Sequence, residues 1–347
     1  MANALLPSTQ QAGVPLQAHR LANNLVRRGH DVTMFTMSPS APDCRYRVRT
    51  FPFIRPVHVQ VYPFSQAAHL ALTDFRGFDV IHCHGDNYLL WRWPSQVRTF
   101  HGSAKDEAKN ARTIRRKAFY QVIIPLEALG ARVARYNVAV SEATRRSISC
   151  IDEVVPNGVD LTQFRPGQKS AVPSILFVGG LQGRKRGSLL VTLFMTHIRQ
   201  HVPQAELWVV SPDSVEGEGI VSFGRVSDDV LARLFRKAWV FASPSSYEGF
   251  GVPYIEAMAA GTAVVATANA GALEVLQCGK YGIVSDDEKF GENIVMLLER
   301  ENARQRLAEG GLRRAAVYDW DAVCASYERI YQRVRVAPNK VQNSGSD

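Results

Sequence analysis

Paired cysteines are missing from this chain. The five that occur, Cys44, Cys83, Cys150, Cys278 and Cys324, are odd in number, widely spaced and contain no CxxC. They provide no disulfide framework and fit reduced, mostly buried thiols. Also missing is any run of about 18 uncharged apolar residues, the minimum for a transmembrane helix. The start MANALLPSTQQAG has neither the basic region nor the apolar core of a signal peptide, so a cytosolic location is expected. A third absence is charge excess in the second half. Residues 167–347 hold 20 Lys and Arg against 20 Asp and Glu, whereas residues 1–166 hold 21 against 12, so the net +9 lies wholly in the first half. Solubility does not require that segregation, so an anionic partner for the N-terminal half is one reading of it.

At 347 residues and 46% hydrophobic content the chain is globular and too long for one ordinary core. Two domains of roughly 150 residues are expected. In the first half LQAHRLANNLVRRGH reads as a helix ending at Gly29, followed by the strand DVTMFTM. Short apolar strands recur at FDVIHCH, QVRTFHG and YNVAVS. Residues 156–174, rich in Pro and Gly, read as a linker, after which strand and helix alternate again from SILFVGG to TAVVAT. Such alternation predicts two parallel α/β domains, with a cleft at the carboxyl ends of their strands. DAVCASYERIYQRV reads as a last helix and VAPNKVQNSGSD as a frayed tail.

Two strand-to-helix turns carry candidate chemistry. WVFASPS runs into SYEGFG and then a helix with Pro253 in its first turn and Gly261 just past its end. Unpaired N–H groups at that helix start, beside Gly249 and Gly251, suit a phosphate or a sugar hydroxyl. Carboxylates would repel an anion, so Glu248 and Glu256 suit hydrogen bonds from sugar and ribose hydroxyls better. The cationic counterpart is LFVGGLQGRKRGS, where Arg184, Lys185 and Arg186 stand among glycines in a spacing that is neither a dinucleotide fingerprint nor a P-loop.

FASPSSYEGFGVPYIEAMAAGTAVVATANAGALEVL closely resembles the signature of glycosyltransferase family 4, retaining GT-B enzymes marked by Glu, seven residues, then Glu. RLANNLVRRGHDVTMFT, FDVIHCH, RTFHGS, VAVSEATRR, VPNGVDLTQF, LFVGGLQGRKRG and FGRVSDDVLARLFRKAWVFASPSS follow the family order, so the resemblance covers most of the chain. It implies a GT-B fold, two Rossmann-like parallel-sheet domains facing across a cleft. Residues 1–165 would be the acceptor-side domain and 166–319 the nucleotide-sugar domain, with 320–335 returning toward the first and 336–347 forming the tail. It further implies that Glu248 meets the transferred sugar near the reacting centre, Glu256 the ribose, and the N–H groups of Phe250 and Gly251 the donor, with Gly249 and Val252 beside them. Lys185 and Arg186 match the cationic pair at the diphosphate, Val226 the segment lining the base, and His101 the histidine reaching in from the N-terminal domain. The implied reaction moves a sugar from a UDP- or GDP-sugar to an acceptor hydroxyl on a glycan, lipid-linked or small molecule, with retention and without a required metal or cofactor.

Two positions depart from the family pattern. Gly180 stands where the family usually carries arginine, which removes one diphosphate cation unless Arg184 replaces it. ANALL is short for the first strand, which weakens Gly13 as a donor-loop residue. A sugar-nucleotide epimerase on the same architecture and an inactive nucleotide-binding or scaffold homologue are the alternatives. His82 and His84 share a strand face but lack a completing ligand, and His197 and His201 lack an HExxH pattern, so both pairs read as structural. Lys105, Lys109, Arg112 and Arg116 fall four, three and four residues apart, which predicts one helix face with Arg115 and Lys117 nearby. That face reads either as a solvated helix or as a surface for an anionic membrane or phosphate-bearing acceptor; without interleaved aromatics, nucleic acid is not expected.

Overall fold

The computed structural model describes residues 1–8, 13–52, 62–111 and 113–335. The expected tail at 336–347 and Arg112 therefore lie outside the described residues. The C-terminal sheet contains β7 (Ser174–Val178), β8 (Glu206–Val210), β9 (Ile220–Ser222), β10 (Val240–Ser243), β11 (Ala263–Thr267) and β12 (Ile283–Ser285). Its order is β12-β11-β10-β7-β8-β9, with every pairing parallel. The strand order reverses between β7 and β10, so the loops after these two strands diverge and open a crevice. Those loops are the glycine-rich cationic turn and the Glu248 loop. The fully buried run AVVAT in β11 shows why the interior strands read as continuous apolar segments: helices cover both faces.

The N-terminal sheet contains β3 (Ile81–Cys83), β4 (Gln96–Phe100), β5 (Tyr136–Ala139) and β6 (Glu153–Val154), while β1 (Thr33–Thr36) pairs with β2 (Arg47–Thr50). Residues 1–4 join the two sets. Ala2 bridges Phe35 in β1 and Cys83 in β3 in parallel; its N–H donates to His82 O at 2.8 Å and its carbonyl accepts from His84 N at 2.9 Å. The short ANALL stretch thus takes the place of a central strand. β2, an exposed edge strand of sequence RVRT, escapes a hydrophobic-pattern reading because edges are protected by charge rather than by burial.

The last helix, Trp320–Val334, crosses back to the first domain. It buries Trp320, Val323, Cys324, Tyr327, Ile330 and Val334, one helical stripe, in one cluster with Leu21, Leu25, Val97 and Val138. At the crossing, Val159 bridges Asp319, and a Cβ on Gly158 would stand 2.5 Å from the Trp320 ring. Only glycine permits that approach.

Candidate active site

The chain leaves β10, turns through residues 244–251 and enters the helix Val252–Ala259. Gly251 takes φ 94°, and a Cβ there would meet the Tyr254 ring at 2.3 Å, so the turn needs glycine for both backbone and space. Among the described residues no side chain caps this helix, whose N-cap is Gly251. Phe250 is buried edge-on against Tyr318. Glu248 is only 6% exposed yet flanked by two cations: Lys185 Nζ lies 2.6 Å from Oε1, and Arg184 Nη1 donates to Oε2 at 2.8 Å. Burial would raise its pKa, but Lys185 and Arg184 outweigh burial and hold the carboxyl below its ordinary value.

The family resemblance matches Lys185 and Arg186 to the diphosphate; the structure brings Lys185 and Arg184 together at Glu248. Arg186 sits in the left-handed region at φ 51°, which turns its side chain to Asp287, where it makes a two-pronged contact at 2.6 and 2.7 Å. Gly180 has only ordinary contacts at its Cβ position, the nearest at 3.6 Å, so space alone does not require glycine there. Gly13, at φ 66°, precedes the helix Val14–Arg27 and accepts a hydrogen bond from Gln17 N.

Across the crevice the domains touch at Gly249. Ser141 Oγ donates to its carbonyl at 2.8 Å, and a Cβ at Gly249 would stand 2.9 Å from His101 O. Glu274 accepts from the N–H groups of Glu142 and Ala143, capping one domain's helix from the other. His101 is backed by a chain of imidazoles. Its Nε2 lies 2.9 Å from His84 Nδ1, the His84 and His82 rings lie 4.4 Å apart and tilted by 32°, and His82 bonds Thr99 and Tyr331. Burial pushes His101 down to about 4 against the opposing Asn157 hydrogen bond, and pushes His82 and His84 well below the usual value. All three rings are neutral at pH 7, suited to hydrogen bonding rather than to charge.

Glu256, 4% exposed, meets a residue that sequence reasoning did not single out. Arg20, in the helix Val14–Arg27, donates to Glu256 Oε1 at 3.2 Å and to Asp228 Oδ2 at 2.8 Å. Helical periodicity placed neighbouring leucines inward, but nothing local announced a partner 236 residues away. A cavity of about 700 Å³ adjoins this contact, lined among others by Arg20, Asn23, Asp160, Val226, Asp228 and Trp320. Glu248 and Lys185 stand outside its lining.

The basic stripe is not one helix. The structure has Ala104–Asn110 and Ile114–Val133, separated where Ala111 is extended and Thr113 caps the second helix by accepting from Arg116 N. The four-three-four spacing runs through this break because side-chain spacing alone does not register a competing N-cap. Arg116 pairs with Glu107 at 3.1 Å, and Lys105, Lys109, Arg115 and Lys117 are exposed. Among the described residues no group of three or more His, Cys, Asp or Glu is arranged to hold a metal, and no helix is long and apolar enough to cross a membrane.

A family model described as Glycosyltransferase Family 4 matches residues 12–163, and one described as Glycosyl transferases group 1 matches residues 172–300. The chain belongs to glycosyltransferase family 4. This glycosyltransferase is 27% identical over 371 aligned positions to the phosphatidyl-myo-inositol mannosyltransferase of Mycobacterium tuberculosis, covering 95% of each chain. Its fold is that of sucrose-phosphate synthase from Thermosynechococcus elongatus (TM-score 0.78, 20% identity, 96% and 98% of the two chains). Anabaena HepE, solved with UDP and glucose, has the same fold (TM-score 0.75, 16% identity, 95% and 98%). Both neighbours have the GT-B architecture of two parallel-sheet domains that the sequence resemblance implies.

Proposed function

We infer that the crevice binds a nucleoside diphosphate sugar and that the enzyme transfers the sugar, with retention and without a required metal, to an acceptor hydroxyl. The observation that carries this reading is Glu248, a buried carboxylate between Arg184 and Lys185 at the crevice where the strand order of the C-terminal sheet reverses. Glu248 accepts hydrogen bonds from the transferred sugar, and the two cations serve the diphosphate as the anomeric carbon becomes oxocarbenium-like. Arg184 thereby supplies the charge missing at Gly180. Glu256 takes the ribose, the N–H groups of Phe250 and Gly251 the diphosphate, with Val226 at the base and His101 toward the sugar. Catalysis on this reading is positioning and electrostatics.

A thermal-shift panel with UDP, GDP, ADP and their sugar conjugates tests it, because a ligand at about 100 times its dissociation constant stabilises by roughly 2.7 kcal/mol. One base should stand out and name the donor class; no shift with any nucleotide would favour the inactive homologue. An epimerase would instead convert the sugar nucleotide to an isomer of equal mass with no acceptor present.

The acceptor side of the reading rests on the helix Ile114–Val133, which exposes Ile114 and Val122 beside Arg115 and Lys117. Such a mixed apolar and basic face fits an anionic membrane bearing a lipid-linked acceptor. Replacing Lys105, Lys109, Arg115 and Lys117 by glutamate should reduce sedimentation with phosphatidylserine vesicles by well over tenfold, since each basic residue contributes about 1 kcal/mol near such a surface. Unchanged sedimentation would remove the membrane from the proposal.

A further inference from the structure

Glu256 and Asp228 come from different elements of the C-terminal domain, the helix Val252–Ala259 and the start of the helix Asp228–Lys237, and both point at one guanidinium from the N-terminal domain. The Arg20 side chain is about 10% exposed, lies 5.8 Å from the centre of the Phe164 ring, and has its two terminal nitrogens committed to separate carboxylates. Such a fork fixes the carboxylates in direction as well as in charge. It uses one site on Glu256 Oε1, and a carboxylate offers about four lone-pair sites, so acceptor sites remain for the two hydroxyls of a ribose.

We propose that Arg20 is a positioning residue for donor binding: it orients the Glu256 carboxylate toward the ribose, so that one arginine of the N-terminal domain sets the nucleotide affinity of the C-terminal domain. The proposal rests on the assignment of Glu256 to the ribose. The charged groups facing Glu256 are Arg20, Asp228 and, farther off, Lys185. Burial raises the Glu256 pKa, the Asp228 charge raises it further, and Arg20 is the main opposing influence. Arg20 stays charged despite its burial because Glu256 and Asp228 outweigh the desolvation. Without the guanidinium, the buried Glu256 faces the half-exposed Asp228 carboxylate with no cation between them, and burial together with that repulsion favours protonation of Glu256. A neutral carboxyl accepts weaker hydrogen bonds than a carboxylate, so the ribose loses affinity.

The sign follows directly. Burial already raises the Glu256 pKa in the wild type; in an Arg20→Gln variant it rises further, so the binding-competent ionised form is lost at a higher pH as pH falls and regained as pH rises. The test is calorimetric binding of UDP, GDP and ADP from about pH 6 to pH 9 to the wild type, Arg20→Gln, Arg20→Lys and Glu256→Gln, with kinetics on the sugar conjugate of whichever binds. Arg20→Gln should weaken nucleotide binding about tenfold or more near neutral pH, and its deficit relative to the wild type should shrink toward pH 9. The donor KM should rise with it while kcat at saturating donor changes little, and Arg20→Lys should restore part of the affinity. Glu256→Gln should bind weakly with no greater pH dependence than the wild type.

Wild-type binding by Arg20→Gln beside weak binding by Glu256→Gln would overturn the role of Arg20 and leave the ribose assignment standing. A deficit in Arg20→Gln that is the same at every pH would also overturn it, as the mark of a structural contact. Unchanged binding in Glu256→Gln, or a wild type that binds none of the three nucleotides, would remove the ribose assignment and this inference with it.

Discussion

Glu248→Gln is expected to lower kcat about 10²- to 10³-fold with the donor KM changed much less, the loss typical of removing one preorganised electrostatic group. Glutamine keeps the shape of the side chain and removes its charge, so the comparison isolates the carboxylate. The charge matters because Glu248 is 6% exposed and has lysine and arginine nitrogens within 3 Å, at 2.6 and 2.8 Å. On the proposed function, a carboxylate held ionised there would stabilise positive charge developing at the sugar carbon and hold Arg184 and Lys185 beside it. The stability loss should stay well below that of a fully buried pair, because the Arg184 side chain is 41% exposed and can be rehydrated. Nucleoside diphosphate release under saturating donor, with a melting curve as the control for folding, is the measurement. A folded variant with wild-type kcat would remove Glu248 from the reacting centre. Glu256→Ala should show the opposite split, with weakened nucleotide binding and a smaller effect on kcat.

What the sequence made legible was what is encoded locally. Apolar runs such as AVVAT and VFAS mark interior strands, and SYEGFG followed by Pro253 marks a turn feeding a helix; the structure has β11, β10 and the helix Val252–Ala259 at these places. The two glutamates and the cationic turn were visible as residue types suited to sugars and phosphate. Which cation faces Glu248 was not visible, because the left-handed backbone at Arg186 redirects that side chain and no neighbour in sequence requires it. The break between Asn110 and Ile114 was hidden by a charge spacing that fits a continuous helix, while Thr113 prefers to cap. Arg20 with Glu256, His84 with His101 and Ser141 with Gly249 are contacts between distant segments. They depend on how the elements assemble, which hydrophobic periodicity does not encode.

The return of the last helix leads to the largest expected effect on stability. Trp320→Ala should destabilise the N-terminal half by about 3–5 kcal/mol, the range for truncating a buried large aromatic. Trp320 is 4% exposed, and its Nε1 has no hydrogen-bond partner among the described residues, so its contribution is packing alone. The ring lies against Gly158, which has no side chain to lean into the vacated space. Because Val159 pairs with Asp319 immediately beside it, the cavity opens where the chain crosses between domains, and the whole helix Trp320–Val334 loses its anchor. Tyr327 bonds Thr99 and Tyr331 bonds His82 from that same helix, so loosening it reaches the imidazole chain behind His101. Calorimetric melting should therefore show an earlier transition in Trp320→Ala, with Trp320→Phe in between. A melting profile unchanged in Trp320→Ala would mean that the helix is held by its other buried residues, Val323, Cys324, Tyr327, Ile330 and Val334, and that the crossing at Gly158 contributes nothing to docking it.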